Sequence, residues 1–319
     1  MSKNKKPKPV KVKKPADPAR AARWRRMALH GALALFVISL GTVGLRYLKR
    51  YVETRLAYPT DPPKVVIVNR PAWMSDFLAA QIAAIVRPIG NHSAFDHQML
   101  VDAYLMLKSD PKISPWIKQI RQIRRVYRNG PGDEIELDCE FRAPIALVQY
   151  DNDFWLVDGD GVRLPDKYNA KQVPQIVYGQ DGHTNIRVVQ GVRAVPPAMG
   201  GQKWAGADLN AALDMVKLLY GRKFAEEILT IDVSNFAGRI DPRQAQVVLV
   251  TRYLTHIRWG RPVNANDYFV EVSTAQKLDY LQRIYNEFHR IDANHPWIDI
   301  RFDQITYPSD PAAQVDTRR

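Results

Sequence analysis

Acidic residues and glycines alternate at Asp158, Gly159, Asp160 and Gly161, and Asp166 follows, which is the kind of sequence that binds calcium. An EF-hand loop needs oxygen ligands at its first, third and fifth positions, glycine at the sixth and glutamate at the twelfth, and this segment lacks that pattern. Aspartate and glycine are also the residues that a tight hairpin turn requires, for local hydrogen bonds and positive φ. We therefore predict a turn here and no metal site.

The remaining polar residues show no pattern that marks a catalytic centre. His92 and His97 are five residues apart, too far round a helix to share a face, and no pair of histidines has the i, i+4 spacing of a zinc helix. No G-x-S-x-G motif marks a nucleophilic serine. A carboxylate pair for glycosidic cleavage can come from residues far apart in sequence, so no such pair is recognisable. We predict that the protein is not an enzyme and has no catalytic residue, cofactor or metal.

Cys139 is the only cysteine of the 319-residue chain. No intramolecular disulfide can form, and no cysteine-based zinc site can be assembled. The folded part must therefore be held together by its hydrophobic core, for which residues 64–307 are enough. Seven tryptophans are spread along the chain; core packing explains most of them, and anchoring of a protein interface is the alternative.

One apolar segment near the N-terminus sets the class of protein. Met27 to Leu45 are nineteen residues without a formal charge, and a helix of that length is about 28 Å long, enough to cross the hydrocarbon core of a bilayer. A cleaved signal peptide is the alternative, but its apolar region is typically shorter and ends at a small-x-small site. This segment continues directly into Arg46, so we predict a transmembrane helix at residues 27–45.

The charges beside this segment predict its orientation. Residues 1–26 carry eleven Lys and Arg against one Asp, and the positive-inside rule places them in the cytoplasm, with the C-terminal part beyond an inner (plasma) membrane. With few apolar residues, this tail is predicted to be disordered and attracted to anionic lipid. Without it, the net charge falls from +13 to about +3, so we predict no nucleic-acid partner.

The sequence after the membrane segment predicts a first folded unit at residues 64–142, behind a linker at residues 46–63. Lys64–Val68 is rich in β-branched residues, which favours a strand. Ser75 and Asp96 are N-caps of two predicted helices. Two further strands are predicted from their composition, and the order is β-α-α-β-β, with the last two strands at Ile120–Tyr127 and Glu134–Phe141.

A second unit, with a different pattern, is predicted at residues 143–307, before a disordered tail at residues 308–319. Short strands joined by polar turns favour a mixed β domain with at least two helices, so the fold class is α+β. We expect a strand at Gln175–Tyr178, a helix capped by Asp208, and a capping box at Ser273 and Gln276. The chain closes on Ile298–Tyr307, where apolar and polar residues alternate as in a strand with one buried face.

Several strings in these units resemble the FtsQ (DivIB) family of bacterial cell division proteins. Residues 115–117 (P-W-I), followed by 124–127 (R-R-V-Y), resemble the P-W-V…V-x-R-x-W stretch of that family. Residues 142–146 (R-A-P-I-A) are similar to its R-x-P-V-A junction, and 156–162 to its L-V-D…G-V hairpin. The β-α-α-β-β unit resembles the POTRA domain that the family carries behind a single membrane anchor. The turn at 128–132 departs from the family's W-P-x-x-L, so the likeness is to a divergent member.

The resemblance implies a non-enzymatic scaffold of the septation complex, located at the division septum, whose partners are the bitopic coiled-coil proteins FtsB and FtsL. In that family the last strands expose an edge to which the partner adds a strand, so backbone groups give affinity and alternate side chains give specificity. On this chain the edge would be Ile298–Tyr307. The residues expected to be exposed contacts are Arg301, Asp303, Ile305 and Tyr307. Their expected neighbours are Arg252, Arg258 and Trp259.

Two other functions remain open. One is a POTRA-bearing scaffold of another envelope assembly or secretion machine, although such proteins usually carry several POTRA units or a barrel. The other is a tethered cell-wall hydrolase or transferase. An enzyme should have a deep cleft with convergent polar groups, whereas a scaffold should have an exposed edge strand and shallow surfaces.

Overall fold

A computed structural model of the chain describes residues 18–56, 64–87, 98–126, 134–178, 186–265 and 271–308. Across these ranges the protein is α+β, with a long N-terminal helix, a three-stranded sheet and an eight-stranded sheet. The predicted fold class is confirmed at this level. The predicted cap at Asp96 and the turn at 128–132 lie outside the described residues. The same holds for 1–17 of the predicted N-terminal tail, 57–63 of the predicted linker and 309–319 of the predicted C-terminal tail.

The N-terminal helix α1 runs over 39 residues, Pro18–Leu56, and is therefore about 58 Å long. Its segment Arg23–Tyr51 is long and apolar enough to cross a membrane. The helix is longer than the predicted span of 27–45 at both ends. Residues 18–26, predicted as disordered tail, and 46–56, predicted as linker, are helical instead, because Ala, Arg and Leu in these flanks are good helix formers.

The three-stranded sheet and two helices form the first unit. Strand β3 lies in the centre, parallel to β1 and antiparallel to β2, so the order across the sheet is β1-β3-β2. The elements follow the predicted order β-α-α-β-β along the chain. Their bounds are β1 Lys64–Ile67, α2 Asp76–Val86, α3 Gln98–Ser109, β2 Ile117–Val126 and β3 Glu134–Phe141.

Helix α2 begins where the sequence predicts it. The Ser75 hydroxyl accepts a hydrogen bond from the Leu78 N–H at 3.2 Å, which satisfies one of the free donors of the first turn. Leu78 and Ile82, one turn apart, are buried in the core. In α3 the buried residues are Met99, Ala103 and Leu107, and Tyr104 is 36% exposed.

The second unit is built on the eight-stranded sheet, whose order is β11-β10-β9-β8-β7-β4-β5-β6. Its strands are β4 Pro144–Tyr150, β5 Asp153–Asp158, β6 Arg163–Asn169, β7 Arg187–Gln190, β8 Ile228–Asp232, β9 Val247–Thr251, β10 His256–Gly260 and β11 Trp297–Asp299. Its helices are α4 Val173–Val177, α5 Ala207–Leu219 and α6 Thr274–Phe288.

Three local predictions in this unit are wrong. Gln175–Tyr178 lies mostly in α4, whose Pro174 occupies the first turn, where its missing N–H costs nothing. Asp208 lies inside α5 instead of capping it; its carboxylate accepts a hydrogen bond from the Arg193 N–H and pairs with Arg239. At α6 only half of the capping box forms, because the side chain of Gln276 donates to the Tyr280 hydroxyl.

The two units share a hydrophobic core. One face of the long sheet packs against α5 and α6. On the other face, residues of β4 and β5 such as Leu147 and Leu156 lie in the same buried cluster as Ile82 and Trp116 of the first unit. The predicted boundary at 142/143 falls between β3 and β4, where Arg142 forms a 2.7 Å ion pair with Asp158. The units therefore meet through buried side chains as well as through the chain connection.

Candidate partner-binding edge

The C-terminal end of the long sheet carries the predicted partner-binding residues. Strand β11 lies parallel to β10, with Ile298 opposite Ile257, and both side chains are fully buried. These two apolar residues hold the short strand in register because a shift by one residue would move them to the polar face.

The strand ends at Asp299, so the predicted closing strand Ile298–Tyr307 is wrong. The Asp299 carboxylate accepts a hydrogen bond from the backbone N–H of Arg301 at 3.2 Å. A short acidic side chain that binds the backbone two residues ahead competes with strand pairing and bends the chain. Phe302, expected on the buried face, is accordingly 44% exposed.

After this turn the chain comes back along β11. The N–H of Asp299 donates to the backbone carbonyl of Thr306 at 2.9 Å, and the N–H of Thr306 donates to the backbone carbonyl of Asp299 at 3.0 Å. In such an antiparallel pair, the N–H and C=O groups of the flanking residues point the other way. Ile305 and Tyr307 therefore direct their backbone groups away from the sheet, and within the described ranges neither forms a backbone–backbone hydrogen bond. This returning segment, Ile305 to Tyr307, is the open edge.

The side chains of the open edge are arranged differently from the prediction. Ile305 and Tyr307 are half-buried and pack against the main core, and the Tyr307 ring lies 4.7 Å from the ring of His295. Burial raises the pKa of the Tyr307 hydroxyl, with a further contribution from Glu287. Thr306, on the opposite face, is exposed. The edge thus offers backbone groups and one polar side chain, supported from below by two core-packed residues.

A buried ion pair fixes the turn. Arg301 donates from Nε and Nη2 to the two carboxylate oxygens of Asp299, at 2.9 and 2.7 Å. Burial would raise the pKa of Asp299, but the hydrogen bonds from Arg301 outweigh it and hold the pKa below its usual value. Arg258 adds a weaker contact to the same carboxylate at 3.7 Å and lies over the ring of Trp297. The carboxylate is therefore charged and paired at neutral pH.

Helix α6 supports the turn from behind. The Tyr280 hydroxyl donates to the backbone carbonyl of Asp303 at 2.8 Å, and the Arg301 carbonyl accepts from the N–H of Val272 at 2.8 Å. These bonds satisfy two carbonyls that the turn leaves without sheet partners.

The other predicted site residues fall into three environments. Asp303 and Arg252 are exposed, and Arg252 donates to the Glu226 carbonyl. Arg301 was expected to be an exposed contact, but its side chain is only 13% exposed because it is paired with Asp299. Trp259 is fully buried in the core, so it supports the sheet and has no surface to offer a partner.

Sequence reasoning missed Thr306, the residue that pairs with the sheet. A usable signal was present, since Asp299 followed by the polar residues Asp303 and Gln304 indicates a turn within the supposed strand.

The segment with the calcium-like composition forms a turn, as predicted. Asp158 Oδ1 accepts hydrogen bonds from the N–H groups of Asp160 and Val162, and Gly161 adopts a positive φ of 78°. The other carboxylate oxygen of Asp158, Oδ2, accepts a hydrogen bond from Arg142. In the described part of the chain, no three His, Cys, Asp or Glu side chains cluster as metal ligands would.

Comparison with known proteins adds no assignment. No protein-family model matches the chain, and no curated protein matches it either.

Proposed function

We propose that the protein is a non-enzymatic, membrane-anchored scaffold of the bacterial septation complex, of the FtsQ (DivIB) type. In this proposal its extracytoplasmic units bind other bitopic division proteins of the FtsB and FtsL kind. The observation that carries the proposal is the open edge at Ile305 to Tyr307, which lies at the end of the chain where the resemblance expects a partner strand.

The topology of the first unit supports the proposal. Its elements follow the β-α-α-β-β order on which the resemblance to a POTRA domain rests, with both helices between β1 and β2. In α3, Val101 and Leu105 are about half exposed, so this unit has an apolar surface to offer as a docking module.

The N-terminal helix supports the membrane part of the proposal. Arg23–Tyr51 is suited to span a bilayer by length and composition, and the basic residues before it favour a cytoplasmic N-terminus. Both folded units would then lie on the extracytoplasmic side, where a free thiol such as buried Cys139 is protected from oxidation by burial.

The size of the open edge sets the expected strength of binding. Ile305 and Tyr307 offer two N–H and two C=O groups, and Pro308 follows with no N–H to extend the row. Each hydrogen bond contributes about 0.5–1.5 kcal/mol net. Such a short edge fixes register and direction, and most of the affinity must come from side-chain contacts around it.

A complementation experiment tests the proposal. Ile305→Pro removes an outward N–H that forms no backbone bond in the described structure, whereas Ile305→Val keeps it. In cells depleted of the native protein, we expect filamentous growth that Ile305→Val relieves and Ile305→Pro does not. A fluorescent fusion should collect at the septum, and the Pro variant should lose co-purification of a small single-span coiled-coil protein.

The alternative functions give different outcomes. Uniform distribution around the envelope with normal division after depletion would favour a scaffold of another envelope machine. Release of cell-wall fragments by the purified protein would favour a tethered cell-wall enzyme.

A further inference from the structure

Two cavities lie at the junction of the two units, and Trp73 lines both of them. One has a volume of about 740 Å³ and the other about 650 Å³, and both are lined by Trp73, Pro144 and Ile176. Because they share these residues, the two cavities adjoin, and together we call them the junction groove. It lies apart from the open edge, which is at the other side of the eight-stranded sheet from β4 and β5.

Aromatic residues flank the groove. Trp73 stacks on Trp116 at 5.9 Å between ring centres and is itself 38% exposed. Phe77 and Tyr220, which line the two ends, are 73% and 83% exposed. Folding gains nothing from leaving such large rings in water, and aromatic side chains around a depression are typical of sites that take an apolar anchor from a partner.

The charges of the groove are unbalanced. Arg187 and Lys217 line the first cavity, and its lining contains no acidic residue. In the second cavity, the lining contains Lys112 and a single acid, Asp166. The groove therefore has three cations against one carboxylate in its lining, and Lys217 also makes a half-exposed contact with Asp214 at 3.9 Å outside it.

Arg187 makes this imbalance costly. It is 5% exposed, its Nη2 donates to the Ala225 carbonyl at 2.8 Å, and its Nε is buried with no hydrogen-bond partner in the described structure. Burial holds the pKa of the guanidinium below its ordinary value, and Glu226 only partly opposes this. Because Glu226 compensates this buried cation only in part and the Nε–H is unsatisfied, a ligand anion that reaches the cavity would be stabilised there.

We propose that the junction groove binds an extended peptide segment of a partner protein that carries a carboxylate beside bulky apolar residues. The apolar side chains would pack on Trp73 and between Phe77 and Tyr220. The carboxylate would lie at Lys217 and Arg187. A segment of several residues fits better than one compact molecule because the two cavities adjoin at Trp73 and a peptide can place side chains in both.

Selection from a displayed library of random twelve-residue peptides, with the full-length protein in detergent at 0.15 M salt, tests this site. We expect enriched peptides that combine Asp or Glu with Leu, Phe, Trp or Tyr. Binding of the enriched peptides should weaken about tenfold in Lys217→Glu, because that change places a repelling charge beside the carboxylate. Trp73→Ala should weaken it as well.

Lys171→Glu is the matched control, because Lys171 is exposed, outside the lining of the groove, and gives the same change in net charge. It separates groove binding from attraction to the basic N-terminal tail. Equal weakening by the two Glu variants, enrichment of neutral or basic peptides, or no enrichment would each overturn the proposal. The proposal would also be overturned if the protein bound vesicles containing phosphatidylglycerol but no peptide, and if that binding depended on Lys217. Lipid would then be the occupant of the groove. The selection leaves Ile305 unchanged, so its failure says nothing against the open edge.

Discussion

Two ion pairs of nearly the same length should differ widely in their contribution to stability. Arg301 and Asp299 are 2.7 Å apart with side chains 13% and 8% exposed. Arg283 and Asp279, on the surface of α6, are 2.8 Å apart but 59% and 60% exposed. Replacing each arginine by methionine removes the charge and keeps most of the apolar stem, so the two variants form a matched comparison.

The expected magnitudes follow from burial. Removing one partner of a buried ion pair costs about 3–5 kcal/mol because a charge is left without compensation. Asp299 keeps its bond from the Arg301 N–H and the contact with Arg258 at 3.7 Å, so we expect a lower value, about 2–3 kcal/mol, for Arg301→Met. An exposed i, i+4 pair contributes about 0.3–0.5 kcal/mol, and Arg283→Met should cost no more than that.

Urea unfolding of the full-length protein in detergent measures the difference. The difference in the free energy of unfolding between the two variants should also depend on pH in a defined direction. The folded-state pKa of Asp299 lies below its unfolded value, so the pair stabilises the protein above the ordinary carboxylate range. That contribution is lost as the pH falls through the lowered folded pKa. Equal midpoints for the two variants, or a gap that does not shrink in acid, would refute the assigned role of the buried pair.

Further predictions concern single contacts. Tyr280→Phe should cost about 1 kcal/mol and speed backbone amide exchange in the turn, because the Asp303 carbonyl loses its donor; unchanged exchange would contradict this. Ser273→Ala should lower the urea midpoint by the equivalent of about 1 kcal/mol through loss of the cap on Gln276. Ile82→Ala, at a fully buried site, should cost about 2–5 kcal/mol. Burial raises the pKa of Cys139 to about 11, so a thiol reagent at pH 8 should label it only slowly until urea unfolds the protein; rapid native-state labelling would be inconsistent with its burial.

The sequence predicted those features that depend on local chemistry. The start of α2 could be predicted because the Ser75 hydroxyl caps it regardless of tertiary context. The turn after Asp158 was predictable for the same reason, since its hydrogen bonds run to residues two and four positions ahead. The apolar segment that is suited to span a membrane was recognisable from composition alone, although its helix extends further at both ends.

Other features were predicted wrongly because side-chain contacts, some of them with residues distant in sequence, outweigh the local pattern. Asp208 looked like a cap, but its partner Arg239 lies 31 residues away in sequence. The alternation at Ile298 and Ile300 indicated a strand, yet the Asp299 side chain ends it by binding the backbone of Arg301. Likewise, Gln276 forms its bond to Tyr280, which in turn binds Asp303, so only half of the capping box is formed. In each case a side-chain contact outweighed a local pattern.

Site-specific photo-crosslinking in growing cells is the most direct test of the open edge. The photoreactive residue is placed at Thr306, which is exposed beside the free backbone groups, and the control position is Lys171, beside the strand at the opposite edge of the sheet. We expect Thr306, and not Lys171, to capture a small single-span coiled-coil protein. Capture of that protein equally from both positions, or from neither, would contradict partner binding at Ile305 to Tyr307.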